Sequence, residues 1–439
     1  MQLSTDRLNT IITMILSLKI KNFLSFKEEV TFSFEATKAK HLEEHHVVEV
    51  APEVRILKLG IVYGANASGK SNLIKAFEFL HDFWFNTTSS KDEETTVIPF
   101  LLDNSSRENP TEFVLTFYVE GIKHIYTLKI TEKNVVLETL LQYPGIRPAE
   151  IFSRELNRNV SQIRFNPKLK INKAAKEEIE VKCLNNMSFF AAYNKVNILL
   201  PDIENVAFWM KNQVMESVSP DSKLIEKVKE LLLKDETKKN FVLNFLHQAN
   251  FNIENIDVKL AGRANISGLF SDLMNEKSTT NMVRERNEKF RLYTSPKTLF
   301  SHKIVDNKGE THLFDLPEKL ESKGTLRAMG LSGVINLAVE RNAFLAIDEI
   351  ESSLHPILIE FVIESFLYES KTAQLLIATH YDGLLDEEDL LRSDSIWFTN
   401  KRKDGSTELY ALSDFKGLSR ISSLQKAYKY GKFGAVPNI

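Results

Sequence analysis

The sequence predicts an α/β fold with an antiparallel β lobe and a helical insertion. The first sign is the apolar run Leu57–Tyr63, which enters Gly64-Ala-Asn-Ala-Ser-Gly-Lys-Ser71 and then the helical pattern Asn72–Leu80. Strand, glycine-rich loop and helix in that succession form a phosphate-binding loop in its required context. The second sign is a pair of late apolar runs, Ala343–Ile347 and Gln374–Ala378, which read as buried strands of the same sheet. The third is what lies between: a stretch of period two, then one of helical period.

Taken in order, Leu16–Ile20 and Val30–Phe34 alternate apolar and polar residues, as half-buried strands do. The apolar stretch Thr10–Leu18 is too short to cross a bilayer and no small-residue cleavage site follows it. Residues 1–13 are expected to be a disordered extension, with Met14 as the true start. The loop helix should run to about Phe85 and a polar loop should follow over Thr87–Thr95. Phe113–Val119 and His124–Ile130 flank Glu120-Gly121, a hairpin signal, and Val135–Leu141 and Glu150–Arg154 continue the meander.

From about Ala174 to Asn250 apolar residues recur at helical spacing, with helices expected over Ile203–Val218 and Ser222–His247. A helix of about 25 residues reaches only about 38 Å, too short for a long coiled-coil arm. Strands return over Lys289–Asp315, and a last hairpin pairs Ser395–Phe398 with Thr407–Leu412 before a helix from about Ile421. The expected divisions are 1–13, the extension; 14–173, the loop and β lobe; 174–288, the helical insertion; and 289–439, the remainder of the first fold.

Composition narrows the class. Charged residues at 26% and apolar residues at 43% describe a folded soluble protein. A net charge of −3 provides no global positive field to draw the chain onto nucleic acid, though a local basic groove is compatible with it. The single cysteine, Cys183, excludes an intrachain disulfide and fits a reducing cytoplasm.

The chemistry concentrates in four places. In the loop, Gly64, Asn66, Ala67, Ser68, Gly69, Lys70, Ser71 and Asn72 turn backbone N–H groups and a helix N-terminus toward phosphate. Lys70 is expected to reach the β- and γ-phosphates of ATP and the Ser71 hydroxyl to ligate Mg²⁺. Asp348 and Glu349 end the Ala343–Ile347 strand; Asp348 suits the Mg²⁺ shell and Glu349 the deprotonation of an attacking water. Thr379-His380 ends the next strand, where His380 is placed to hold that water and donate to the γ-phosphate. Ser322, Gly324 and Thr325 open a helix, offering either a second phosphate-binding surface supplied to a partner subunit or an ordinary N-cap.

Together, Asp348-Glu349, the following Ser352-Ser-Leu-His-Pro356 and Thr379-His380 resemble the ABC-type ATPase heads of the SMC, RecF and OLD groups. The Ser322–Thr325 stretch would be their signature motif in altered form, with Glu321 and Lys323 where transporter-like signatures carry Leu and Gly. Asn22-Phe-Leu-Ser-Phe26, the Gly64 loop and the ending Gly431–Ile439 narrow the likeness to the bacterial AAA15 ATPases of RloA/AbiLi type, found in abortive-infection and anti-phage loci. That group is also similar to the ATPase subunit of the PARIS defence system. No glutamine-loop residue is assigned.

The resemblance implies an ABC/SMC-head type of P-loop NTPase that dimerises, or forms a higher homo-oligomer, around ATP and Mg²⁺. It would regulate a separately encoded effector, TOPRIM-like or another nuclease or toxin, in response to a phage protein or DNA. The alternative is a RecF- or SMC-like repair or recombination ATPase that binds DNA directly; a membrane transporter subunit fits poorly. Two clusters are discounted. His41, His45 and His46 lack the spacing of a zinc site, and Asp382 and Asp386–Asp389 have too little chain after His380 for an appended nuclease domain.

Overall fold

The computed structural model describes residues 12–259 and 297–436. The chain divides into two compact units. One comprises the chain up to Pro220, Ala338–Ser352 and the chain from Ile363; the other comprises Asp221–Leu337 and Ser353–Val362.

In the first unit, seven strands form an antiparallel lobe in the order β10-β9-β8-β7-β6-β1-β2. They are β1 (Met14–Lys21), β2 (Val30–Ser33), β6 (Thr111–Val119), β7 (Ile122–Ile130), β8 (Val135–Tyr143), β9 (Ala149–Asn157) and β10 (Val160–Phe165). The expected hairpin is β6–β7. Glu120 at φ 54° and Gly121 at φ 75° are both left-handed, the pair that a two-residue turn matching strand twist demands. The strand β10 has no counterpart in the sequence-based expectation; its exposed face leaves a weak apolar signal. Residues 12 and 13 are described: Thr13 is buried and Ile12 packs on the core. The rest of the expected extension, residues 1–11, lies outside the described residues.

A second sheet carries the loop. Its order is β14-β15-β5-β16-β17, with β5 (Leu59–Gly64), β14 (Phe344–Ile347), β15 (Gln374–Ala378), β16 (Ile396–Lys401) and β17 (Thr407–Ala411). The neighbours β14/β15, β15/β5 and β5/β16 run parallel, and only β17 runs antiparallel. Every residue of β5, β14 and β15 is buried, which is why these strands read as unbroken apolar runs. A two-stranded ribbon, β3 (Val47–Ala51) with β4 (Val54–Leu57), follows the short helix α1 (Glu43–His46). Helix α2 (Lys70–Phe85) buries Leu73, Ile74, Ala76, Phe77, Leu80, Phe83 and Trp84 in the shared aromatic core, and α3 (Asn104–Glu108) is a single turn.

The helical expectation needs correction in three places. The helix expected over Ile203–Val218 ends at Asn212; α4 (Lys173–Lys182), α5 (Phe189–Tyr193) and α6 (Pro201–Asn212) all belong to the first unit. Beyond α6 the chain extends beside β14, with Val214 bridging Phe344 and Val218 bridging Ile347 in parallel. Met210, Val214 and Val218 continue a helical i+4 stripe, but β14 would otherwise bury an unpaired edge, and that cost overrides the local period. The helix expected over Ser222–His247 is two helices, α7 (Leu224–Lys234) and α8 (Glu236–Gln248). Asp235 separates them, its carboxylate accepting from Thr237 N at 2.9 Å as the N-cap of α8.

The third correction is a strand, β11 (Ile253–Lys259), inside the stretch expected to be helical. It pairs with β12 (Lys297–Val305), which pairs with β13 (Thr311–Pro317), making the second unit's three-stranded sheet. Residues 260–296, which include the end of the expected insertion, lie outside the described residues. The helix α9 (Lys323–Arg341) and the helix α10 (Pro356–Glu369) precede β14 and β15, and α11 (Leu424–Lys429) closes the chain. Among the described residues no helix is long and apolar enough to cross a membrane.

Candidate nucleotide site

Three parallel strands end at one edge of the second sheet, where open α/β sheets place their ligands. Strand β5 delivers Gly64, β14 delivers Asp348 and Glu349, and β15 delivers Thr379 and His380.

The loop is built from both sides. A Cβ at Gly64 would collide with Thr399 and Ser68, and one at Gly69, whose φ is 111°, would collide with Thr407. Contact requires both glycines, and conformation adds to the requirement at Gly69 alone. Ser68 is buried and its Oγ lies 2.6 Å from Thr399 Oγ1, while Thr407 Oγ1 donates to Ser68 O at 2.7 Å. Ser25, from the Asn22–Phe26 segment, accepts from Asn72 Nδ2 at 2.7 Å, and its Oγ lies 2.7 Å from Thr407 Oγ1, where Ser25 is the donor because the Thr407 proton goes to Ser68 O. Asn66 and Ala67 are exposed at the tip, with Ala67 at φ 58°, and Ser71 lies in the first turn of α2. The first N–H groups of that helix have no partner within it and are available to an anion.

Lys70 is buried, and its ammonium donates to Gly64 O at 2.8 Å and Ala65 O at 3.2 Å. Burial brings its pKa down to about 8, opposed by the charges of Asp348, Glu351 and Glu349. His380 Nδ1 lies 3.4 Å from Lys70 Nζ. Partial burial, then Lys70, hold the imidazole below its usual range, against Glu351, Glu349 and Asp348. A neutral ring accepting at Nδ1 from the lysine is the arrangement consistent with both.

Asp348 is fixed by its backbone, whose N–H donates to Val218 O at 2.7 Å. Its Oδ1 is buried without a hydrogen-bond partner among the described residues. A carboxylate oxygen left in this state is costly, and a divalent cation would satisfy it. The donor set of Asp348 and the Ser71 hydroxyl, all oxygen, suits Mg²⁺. Glu349 adopts φ 46°, a left-handed conformation rare for a residue with a Cβ and often found at functional sites.

Ser322, Gly324 and Thr325 lie in the other compact unit. There Ser322 Oγ accepts from Thr325 N at 3.0 Å, capping α9, and a Cβ on Gly324 would stand 3.0 Å from Ser353 O. The discounted clusters have structural partners. His41 Nε2 bonds Glu388 O at 2.7 Å, and Asp386 accepts from Ser423 Oγ and Gln425 N at the start of α11.

A family model described as "AAA domain, putative AbiEii toxin, Type IV TA system" matches residues 61–182 and 211–386, well over half of the chain. The chain belongs to this AAA-domain family. Among solved structures it is similar to an SMC head domain from Thermotoga maritima, at 13% identity over 91% of this chain and 98% of that one, with a TM-score of 0.41. It is also similar to an SMC head bound to the C-terminal winged-helix domain of ScpA, at 14% identity over 94% and 99%, TM-score 0.43. A third is an Smc head with an extended coiled coil bound to the C-terminal domain of ScpA derived from Pyrococcus furiosus, at 14% identity over 96% and 99%, TM-score 0.39. No curated protein matches the sequence.

The family match spans the loop, Asp348-Glu349 and His380, so the residues gathered at the sheet edge are those of its AAA domain. Sequence reasoning missed the residues that hold this edge together: Ser25, Glu351, Thr399 and Thr407. Each is a common polar residue in a strand or loop, and only its partner across the sheet gives it meaning.

Proposed function

We propose that this AAA-domain chain binds and hydrolyses ATP and acts as a switch whose two copies close around the nucleotide. Gly64–Asn72 of one copy would face Ser322–Thr325 of the other. The observation that carries the nucleotide reading is the convergence of Lys70, Asp348, Glu349 and His380 at one sheet edge, with Asp348 Oδ1 unsatisfied among the described residues.

Lys70 and the N-terminus of α2 bind the phosphates, and Asp348 and Ser71 hold Mg²⁺, which supplies charge neutralisation at the phosphate oxygens. Glu349 takes a proton from water as its oxygen attacks the γ-phosphorus; ADP leaves with the electron pair of the broken bond. His380 orients that water beside Lys70. The binary change from bound ATP to ADP would loosen the joint between copies and release or engage a separately encoded effector. The toxin named in the family description supports a role in abortive infection, carried out in the cytoplasm with a phage product or foreign DNA as trigger.

Glu349→Gln should retain ATP binding and lower kcat by roughly 10²- to 10⁴-fold. In light scattering that variant should double in mass with Mg²⁺ and ATP, and Ser322→Arg should prevent the doubling while leaving ATP bound. Wild-type turnover in Glu349→Gln would remove its role as base, and a mass unchanged by ATP would overturn the switch.

A further inference from the structure

One carboxylate at the same edge has no part in the scheme above. Glu351 follows β14 by four residues, and both of its oxygens are engaged by the end of β15. Its Oε2 accepts from Thr379 Oγ1 at 2.7 Å and its Oε1 from the His380 backbone N–H at 2.6 Å. The Thr379 hydroxyl in turn accepts from Tyr381 N at 3.0 Å. Below this point Ile350 N reaches Ala378 O at 3.4 Å and Thr379 N reaches Val62 O at 3.1 Å. The Glu351 side chain thus ties the chain turn that carries His380 to the segment that also carries Glu349.

We propose that Glu351 is the positioning residue for His380: it clamps Thr379 and His380 so that the imidazole stays beside Lys70. This rests on the nucleotide reading given above. Both groups facing Glu351 act as donors, one backbone N–H and one hydroxyl that also accepts from Tyr381 N. A carboxylate accepts from both at once, whereas an amide has one acceptor oxygen and could keep both contacts only by reversing the Thr379 bond, its NH₂ donating to Oγ1 and the hydroxyl proton losing its acceptor. The clamp is charge-assisted on both arms, which makes it stronger than a neutral equivalent. Its charge also bears on the ring it positions: Glu351, Glu349 and Asp348 favour the protonated imidazole, while partial burial and Lys70 oppose it.

The test is a kinetic cycle on the full chain with Glu351→Gln, His380→Ala and the double variant, each checked for folding by thermal unfolding. Glu351→Gln should lower kcat on the order of tenfold or more, since displacing a reacting group by about 1 Å is enough for such a loss. KM should stay within about threefold, because phosphate binding is left intact. In the His380→Ala background the same change should add little, the non-additivity of residues that act as a unit. Glu351→Asp should restore part of the loss, and the His380 ring, followed by NMR, should titrate at lower pH in Glu351→Gln than in the wild type.

An additive double variant, or an unmoved His380 titration, would overturn the clamp. Should His380→Ala alone turn over ATP like the wild type, the role given to His380 in the nucleotide site fails instead, a different result from an additive cycle. Thr379→Val removes the other arm of the clamp with little change of shape. It serves where Glu351→Gln does not fold, and the same non-additivity with His380→Ala is expected of it.

Discussion

Two polar clusters in the first unit stand in opposite states. In the β lobe, Glu138 and Arg154 are fully buried and every arm of each is used. Arg154 reaches Glu138 Oε2 at 3.1 Å, Ser161 Oγ, Met187 O and Leu184 O. Glu138 also accepts from Phe189 N at 2.8 Å and Tyr126 Oη at 3.0 Å, although burial still pushes its carboxyl up. At the sheet edge, Asp348 Oδ1 has no partner among the described residues, Lys70 rests on loop carbonyls and Glu349 sits in a left-handed conformation. The first cluster fastens the start of α5 to the lobe. The second leaves its charges open to something the protein must acquire. Similar residues serve shape in one place and ligand in the other, and the difference lies in how completely their hydrogen bonds close.

The comparison predicts opposite responses to the removal of one charge. The largest effect belongs to the lobe. Arg154→Met takes the counter-charge from the buried Glu138 and a donor from each of Met187 O and Leu184 O, and should cost about 3–5 kcal/mol in urea unfolding of the full chain. Glu138→Leu combined with Arg154→Met should recover part of this, because an apolar pair replaces a stranded charge. A loss under about 1 kcal/mol in the single variant would mean that the network holds little, and the contrast between the clusters would collapse.

A smaller effect concerns Lys70 and pH. Burial lowers its pKa to about 8 in the free protein, so the ammonium is present below that pH and lost as pH rises through it. Phosphate requires the charge, so ATP affinity should be level up to about pH 8 and then fall by at most about tenfold per unit. Equilibrium ATP binding at pH 7, 8 and 9 measures this, and Lys70→Arg, whose charge persists, should flatten the profile. A profile equally steep in Lys70→Arg would assign the titration to another group. The same depression means the unfolded chain binds more protons between about pH 8 and 10.5, so the free protein gains stability across that window as pH rises. Lys58, held at about 8 by burial, adds to that gain, which leaves the affinity profile as the measurement specific to Lys70.

Much of the functional edge was legible in the sequence because its signals are local. Gly64–Ser71 requires its spacing to make the loop, and fully buried strands such as β14 and β15 announce themselves as apolar runs ended by Asp348 and His380. What escaped was decided across the fold. The pairing of residues 213–218 with β14 overrides a helical stripe, and Asp235 divides a long amphipathic pattern by capping α8. Thr399, Thr407 and Ser25 matter only because three distant segments meet under the loop. Glu351 lies two residues from Glu349, but adjacency in sequence does not disclose that its partners belong to the end of β15. The Ser322–Thr325 stretch is the mixed case: its hydroxyls form the N-cap that local chemistry favours, and a second role for them is a matter between copies of the chain.

The smallest predicted effect divides the two clusters most sharply, because it concerns a sign. Asp348→Asn removes a charge whose Oδ1 has no partner among the described residues, and a neutral amide is less costly to hold there than a carboxylate. Asp348 also attracts Lys70, so part of that gain is offset. The free protein should therefore change stability by about 1 kcal/mol or less, in either direction, where Arg154→Met loses several times as much. With Mg²⁺ and ATP present the order reverses. The wild type should be stabilised by ligand linkage, about 2.7 kcal/mol at a ligand concentration near 100 times Kd, and Asp348→Asn should lose most of that gain. Thermal unfolding with and without Mg²⁺ and ATP reads both quantities in one experiment. A loss above about 1.5 kcal/mol in the free variant would make Asp348 a structural residue like Arg154. An undiminished response to Mg²⁺ and ATP would mean that its open oxygen is not where the cation binds.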